Sequence, residues 1–136
     1  MGTIARRIVP LALALSAVLA PLAAAPVAAE PAARAVLKLS IEHRHHRHGR
    51  SAPTRVLLLC GPAGGTHPSP QAACTALEDA RGHFRRLRRA TRLCPMVVDP
   101  VTVRAHGHWW GRPVRFRRTY VNSCVAARQT GGVFAF

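Results

Sequence analysis

Four cysteines constrain the fold of this chain more than any other feature. They lie at Cys60, Cys74, Cys94 and Cys124, all downstream of an N-terminal segment typical of an export signal. An even number of cysteines in an exported chain favours disulfides, and four cysteines allow three pairings. Their spacing is far wider than the two- to four-residue gaps of structural zinc sites. We therefore expect one domain with two disulfides and no bound metal.

The first residues are organised like a signal peptide. Arg6 and Arg7 precede an apolar run over residues 9–25 that ends among small residues. No other segment is long and apolar enough to span a bilayer. We predict a signal peptide over residues 1–29, a single domain over residues 30–136, and a secreted, extracellular protein without membrane insertion.

The charge of the chain is strongly positive. Twenty basic residues stand against 5 acidic ones, and Lys38 is the only lysine. Such a balance favours association with anionic surfaces and says little about fold. A cationic extracellular protein that binds nucleic acid or cell-wall anions is therefore one hypothesis for the function.

Apolar periodicity predicts several β-strands. Residues 36–41, 56–59 and 133–136 have the alternating or continuous apolar patterns of strands. Residues 101–105 and 114–117 alternate apolar and polar side chains with glycines between them, which predicts a β-hairpin.

Two segments have helical periodicity. The first would begin from a cap at Ser69 or Thr75 and end at Gly82. The second, residues 84–92, spaces apolar residues three apart among arginines, which predicts a basic amphipathic helix on the surface.

Histidines and arginines alternate over residues 43–50. Such histidines can hold a soft transition metal or respond to pH. Because adjacent arginines repel a cation, we interpret this segment as a solvated loop.

Enzymatic activity is not indicated by any motif. The Gly-x-Ser-x-Gly pattern of a nucleophile elbow is absent from the sequence, and few acidic residues remain to orient a catalytic base. We predict a protein that is not an enzyme and needs no cofactor.

The most specific segment covers residues 94–100, Cys-Pro-Met-Val-Val-Asp-Pro. Each proline fixes its own φ and biases the residue before it towards extended backbone. A protease cleft accepts such a pre-ordered apolar segment, since a flexible one loses about 1–2 kcal/mol of backbone entropy per residue on binding. The alternative is an ordinary connecting loop with Val97 and Val98 in the core.

In this segment the chain resembles the Streptomyces subtilisin inhibitor family. The resemblance extends over nearly all of the predicted mature chain. Its matching positions are Cys94-Pro95-Met96-Val97, Asp99-Pro100-Val101, Gly65-Thr66-His67-Pro68, Gly107, Trp109, Gly111, Asn122 and Val133-Phe134-Ala135-Phe136.

The resemblance implies a secreted serine protease inhibitor whose rigid loop binds an extracellular subtilisin-like protease as a substrate would. Met96 would enter the primary specificity pocket, and Val97 would lie across the scissile bond. An unbranched apolar Met96 suits the hydrophobic pocket of subtilisins, whereas the acidic pocket of trypsin favours Lys or Arg. The remaining residues implied to contact the protease are Leu93, Cys94, Pro95, Val98 and Asp99.

The resemblance also implies a fold and an assembly. The fold would be α+β, with an antiparallel sheet of about five strands, two helices, and the disulfides Cys60–Cys74 and Cys94–Cys124. The assembly would be a homodimer packed through the sheet.

Overall fold

An antiparallel β-sheet forms the centre of the computed structural model, which describes residues 32–45 and 49–136. The predicted signal peptide over residues 1–29 and the middle of the histidine-rich segment lie outside the described residues. The strands are β1 (Ala35–His45), β2 (Gly49–Arg50), β3 (Thr54–Cys60), β4 (Gly64–Gly65), β5 (Val101–Trp109) and β6 (Arg112–Tyr120). The strand order is β4-β3-β1-β5-β6, and the short β2 pairs with the end of β1.

The predicted sheet is confirmed. All strand pairs are antiparallel, and the long β1 lies between β3 and β5. The predicted strands at residues 36–41 and 56–59 lie within β1 and β3. The predicted hairpin is formed by β5 and β6, which turn at Trp110 and Gly111, both at positive φ.

One face of the sheet carries the hydrophobic core, as alternation along β1 shows. Ala35, Leu37, Leu39 and Ile41 are each at most 2% exposed, whereas the intervening Lys38 is exposed. Successive side chains of a strand point to opposite faces. Burying one such large aliphatic side chain stabilises the fold by about 1.5–3 kcal/mol.

The two helices pack on the core side of the sheet. They are α1 (Pro70–Asp79), which contacts β3, and α2 (Ser123–Gln129), which contacts β5 and β6. Ser69 takes the predicted cap position of α1, and the fixed φ of the following Pro70 suits the first helical residue. Beyond the helix, Gly82 has a φ of 75° and lies so close to the Trp109 ring that a Cβ there would overlap it.

The predicted helix over residues 84–92 is wrong. Only Phe84–Arg86 form a 3-10 turn, and Leu87 has an extended ψ of 131°. Phe84 and Leu87 are both buried. The spacing of these apolar residues by three therefore reflects one short turn that packs against the core, and not one face of a longer helix. Arginines three and four apart would also repel one another along a helix. The second helix of the fold is α2 instead.

The predicted strand at residues 133–136 is also wrong. Val133 donates its N–H to Thr130, and Ala135 donates to Gly132, so this segment forms turns. Phe134 is buried because its ring packs near that of Phe116, with centroids 6.3 Å apart. The consecutive residues Val133 and Phe134 are both buried, so burial does not alternate here as it would along a half-buried strand. No helix in the part of the chain described here is long and apolar enough to cross a membrane.

Candidate functional site

The predicted site residues form an exposed loop, residues 93–99, between the 3-10 turn and β5. Met96 is 102% exposed and Leu93 is 98% exposed, the largest values among the exposed large apolar side chains. Val97 and Val98 are 55% and 70% exposed, respectively. The alternative interpretation, in which these two valines belong to the core, is therefore wrong.

A disulfide fastens the N-terminal part of the exposed loop to α2. Cys94 is bonded to Cys124, in the first turn of α2, with 5.7 Å between the Cα atoms and a sequence separation of 30. The second disulfide, Cys60–Cys74, joins β3 to α1. These are the two pairings that the family resemblance implied.

Asn122 braces the exposed loop from the inside. Its Nδ2 donates to the carbonyl oxygens of Pro95 at 3.3 Å and Val97 at 2.7 Å, the two carbonyls on either side of Met96. Its Oδ1 accepts from the backbone N–H of Val125 at 2.8 Å and so caps α2. The Asn122 side chain is 6% exposed, while Met96 itself points into solvent.

Sequence analysis identified Asn122 only as a matching position and did not predict its role as a brace. The available signal was local: an asparagine immediately before a short helix and two residues before Cys124 is a good cap. Its contact with Val97 spans 25 residues of sequence, so no local pattern could reveal it.

The C-terminal part of the exposed loop is attached to two other elements. The backbone N–H of Asp99 donates to the carbonyl of Val121 at 2.9 Å. The Asp99 carboxylate lies 3.1 Å from Nδ1 of His43 at the end of β1. Because both side chains are more than a third exposed, this pair contributes at most about 1 kcal/mol. Asp99 is half-buried, and its backbone N–H fastens this end of the loop to the segment that follows β6.

Charge is absent from the tip of the exposed loop, since Leu93 to Val98 carry no ionisable side chain, Cys94 being bonded in a disulfide.

Burial raises the pKa of Tyr120, at the end of β6, although the nearby Arg118 opposes that effect. Within the described residues no group of three or more histidine, cysteine or acidic side chains is placed to hold a metal ion.

This arrangement holds the backbone of the exposed loop in place and leaves its apolar side chains exposed to solvent. Met96 and Val97 are exposed, and the loop is fastened to the domain on both sides of the bond between them, by Cys94–Cys124 and by the contacts of Asp99. A disulfide-linked α+β domain that displays a braced apolar loop defines a class of small protein-binding inhibitors.

Comparison with known proteins identifies the family. The subtilisin inhibitor-like family model matches residues 33–122, and the chain belongs to that family. Subtilisin inhibitor-like protein 5 of Streptomyces fradiae is 46% identical over 83 residues, covering 60% of this chain and 78% of that protein. Trypsin inhibitor STI2 of Streptomyces longisporus is 36% identical over 144 residues, covering all of both chains.

A solved structure shares the fold. It is Streptomyces caespitosus sermetstatin in complex with Bacillus licheniformis subtilisin, and it matches with a TM-score of 0.59 and 33% identity. The match covers 75% of this chain and 98% of that one. Membership of a family of inhibitors agrees with the prediction that this chain is not an enzyme.

Proposed function

We propose that this chain is a secreted serine protease inhibitor that binds subtilisin-type proteases through the exposed loop, with Met96–Val97 as the reactive bond. The observation that carries the proposal is the brace of Asn122 on the carbonyls either side of the fully exposed Met96. Such a brace preorganises the backbone for a cleft without obstructing it, which lowers the entropic cost of binding.

The proposed mechanism is substrate-like. The protease serine attacks the carbonyl carbon of Met96, the bond to the Val97 nitrogen breaks, and Val97 keeps a free amine. Cys94–Cys124 retains the new acyl end, and the Asp99 contacts retain the amine end. The amine therefore stays beside the acyl-enzyme, and attack by that amine reforms the peptide bond faster than the product can leave.

Two features support the proposal that the chain is secreted and acts outside the cell. The N-terminal residues have a signal-peptide pattern, and two disulfides suit an oxidising compartment. An extracellular subtilisin-like serine protease is therefore the proposed partner.

The outer face of the sheet, opposite the core, is the proposed homodimer surface. No helix covers this face within the described ranges, and Val36 on β1 is 41% exposed there. The same face carries the exposed cations Lys38, Arg55, Arg115 and Arg117. These charges would attract anionic polymers non-specifically, but neither the family nor its named members support polymer binding as the main function.

Titration of active subtilisin with the purified protein tests the proposal. We expect a linear loss of activity that ends at one inhibitor per active site. Met96→Asp should weaken inhibition strongly, whereas Val36→Asp, at an exposed apolar residue on the far side of the sheet, should not. Degradation of the protein at many bonds without inhibition would contradict the proposed function.

A further inference from the structure

Five arginines lie immediately before the exposed loop. They are Arg85, Arg86, Arg88, Arg89 and Arg92, which we call the arginine tract, and all five are exposed. Phe84 and Leu87 are 6% and 8% exposed and anchor the tract in the core. The backbone N–H of Ala90 also donates to the carbonyl of Arg128 on α2 at 2.8 Å. The backbone that carries these charges is therefore held in a defined place beside the loop.

Within residues 32–45 and 49–136, no acidic side chain forms an ion pair with the arginine tract. Among the described residues, the ion pairs join His43 to Asp99 and Arg104 to Glu42, and neither involves the tract. The one acidic residue of the exposed loop, Asp99, lies on the opposite side of the reactive bond. Arg44 on β1 is also exposed on that side, where its backbone N–H donates to the carbonyl of Pro100 at 2.9 Å. Positive charge is therefore denser on the N-terminal side of Met96, where five exposed arginines have no ion-pair partner among the described residues.

A protease that binds Leu93 to Met96 in its cleft must also come close to the positive charges of the arginine tract. Arg92 precedes Met96 by four residues, so at most about 14 Å of extended chain separates them. Screening at physiological salt acts over about 8 Å, so charges on the rim of the cleft would interact with Arg92 and its neighbours. Guanidinium groups favour carboxylates, with which they form paired hydrogen bonds.

We propose that the arginine tract is a docking surface for acidic side chains on the rim of the target protease, beside the subsites that bind residues N-terminal to Met96. The tract speeds association with proteases that have an acidic rim and disfavours those with a basic one. This inference rests on the proposed inhibitory function and specifies its target class. Exposed charges of this kind act mainly on association rates rather than on the lifetime of the complex.

The test uses two forms of one subtilisin that differ only at two exposed rim residues beside those subsites, glutamates in one form and lysines in the other. Association rate constants are measured at low and high salt. We expect the acidic form to associate at least about tenfold faster at low salt, and the difference to shrink as salt is added.

Two inhibitor variants with the same net charge localise the effect. R88Q/R89Q/R92Q should associate with both forms at similar rates. R55Q/R115Q/R117Q, which removes three exposed arginines from the outer face of the sheet, should keep the preference for the acidic form. Unchanged thermal unfolding temperatures would show that both variants are folded.

Equal rates of the unaltered protein with the two subtilisins would overturn the inference, and so would an equal loss of preference in both variants, which would assign it to net charge. Both results leave inhibition itself intact. Failure of the unaltered protein to inhibit either form would instead overturn the proposed function together with the inference.

Discussion

At the scale of single residues, Met96 in the exposed loop and Asn122 beneath it have opposite environments. Met96 is fully exposed, so the identity of its side chain should have little effect on folding. Asn122 is buried, and all three of its side-chain hydrogen bonds hold backbone groups of the exposed loop or of α2. In the proposed mechanism, specificity and rigidity therefore depend on different residues.

Substitution of Met96 by lysine should change the target of the inhibitor. We expect Met96→Lys to gain inhibition of trypsin, because a cationic side chain suits the acidic pocket of that enzyme. The thermal unfolding temperature should stay the same, since the side chain is fully exposed. Leu93→Lys is the matched control, at a position that is equally exposed, and it should not inhibit trypsin. Unchanged trypsin activity with Met96→Lys would count against Met96 as the specificity residue.

Substitutions of Asn122 should distinguish its role as the cap of α2 from its role in bracing the exposed loop. Serine is a good helix cap but too short to reach the carbonyls of Pro95 and Val97, so Asn122→Ser should retain most of the stability and lose durable inhibition. Asn122→Ala should lose both functions and about 1–3 kcal/mol of unfolding free energy. Thermal unfolding and the time course of subtilisin inhibition measure the two effects. If Asn122→Ser inhibits as durably as the unaltered protein, the brace is not needed.

At the scale of elements, the two disulfides stabilise the domain similarly but should differ in function. Cys60–Cys74 joins α1 to the sheet, whereas Cys94–Cys124 joins the exposed loop to α2. In the chain-entropy model each closed loop is worth about 3–4 kcal/mol, a large share of the roughly 5–15 kcal/mol that stabilises a small domain.

Removal of each disulfide by paired alanine substitutions should show this difference. We expect both variants to unfold at markedly lower temperature. Well below that temperature, the variant without Cys60–Cys74 should still inhibit subtilisin, whereas the variant without Cys94–Cys124 should be cleaved as a substrate. Gel analysis of the inhibitor after incubation with subtilisin distinguishes them, and equal cleavage of both variants would contradict the proposed role of Cys94–Cys124.

Elements also show how far sequence alone predicts this fold. The strand at residues 36–41 was predictable because its side chains alternate between a buried and a more exposed face. Residues 56–59 were predictable from a continuous apolar run, and residues 101–105 from alternating apolar and polar side chains, although Thr102 is buried as well. Residues 84–92 were wrongly predicted as a helix and residues 133–136 as a strand, because their apolar side chains fill the core from turns. The tip of the exposed loop was predictable from its two prolines and the family resemblance, whereas the contacts of Asn122 and Asp99 depend on distant residues.

At the scale of the whole molecule, net charge would oppose assembly of the proposed dimer. The chain has a formal net charge of +15 at pH 7, and the outer face of the sheet carries several of its exposed cations. A twofold dimer through that face brings like charges together, because an isologous interface pairs a patch with its own copy. Salt screens such repulsion.

The proposed dimer should therefore strengthen with salt. We expect sedimentation velocity to show a larger dimer fraction in about 0.5 M than in about 0.02 M sodium chloride at equal protein concentration. R55Q/R115Q/R117Q should reduce this dependence. A monomer under all conditions would contradict the dimer, and a dimer that weakens with salt would contradict this account of its charges.

The proposed function requires that the Met96–Val97 bond is cut and resealed within the complex. The most direct measurement is intact-mass analysis of the inhibitor after long incubation with a trace of subtilisin, starting separately from intact protein and from protein already cut at that bond. We predict that both samples converge on the same mixture of intact and singly cut chains, with Met96–Val97 the only cut bond. Progressive cleavage at several bonds, with no intact chain regenerated from the cut sample, would contradict the claim.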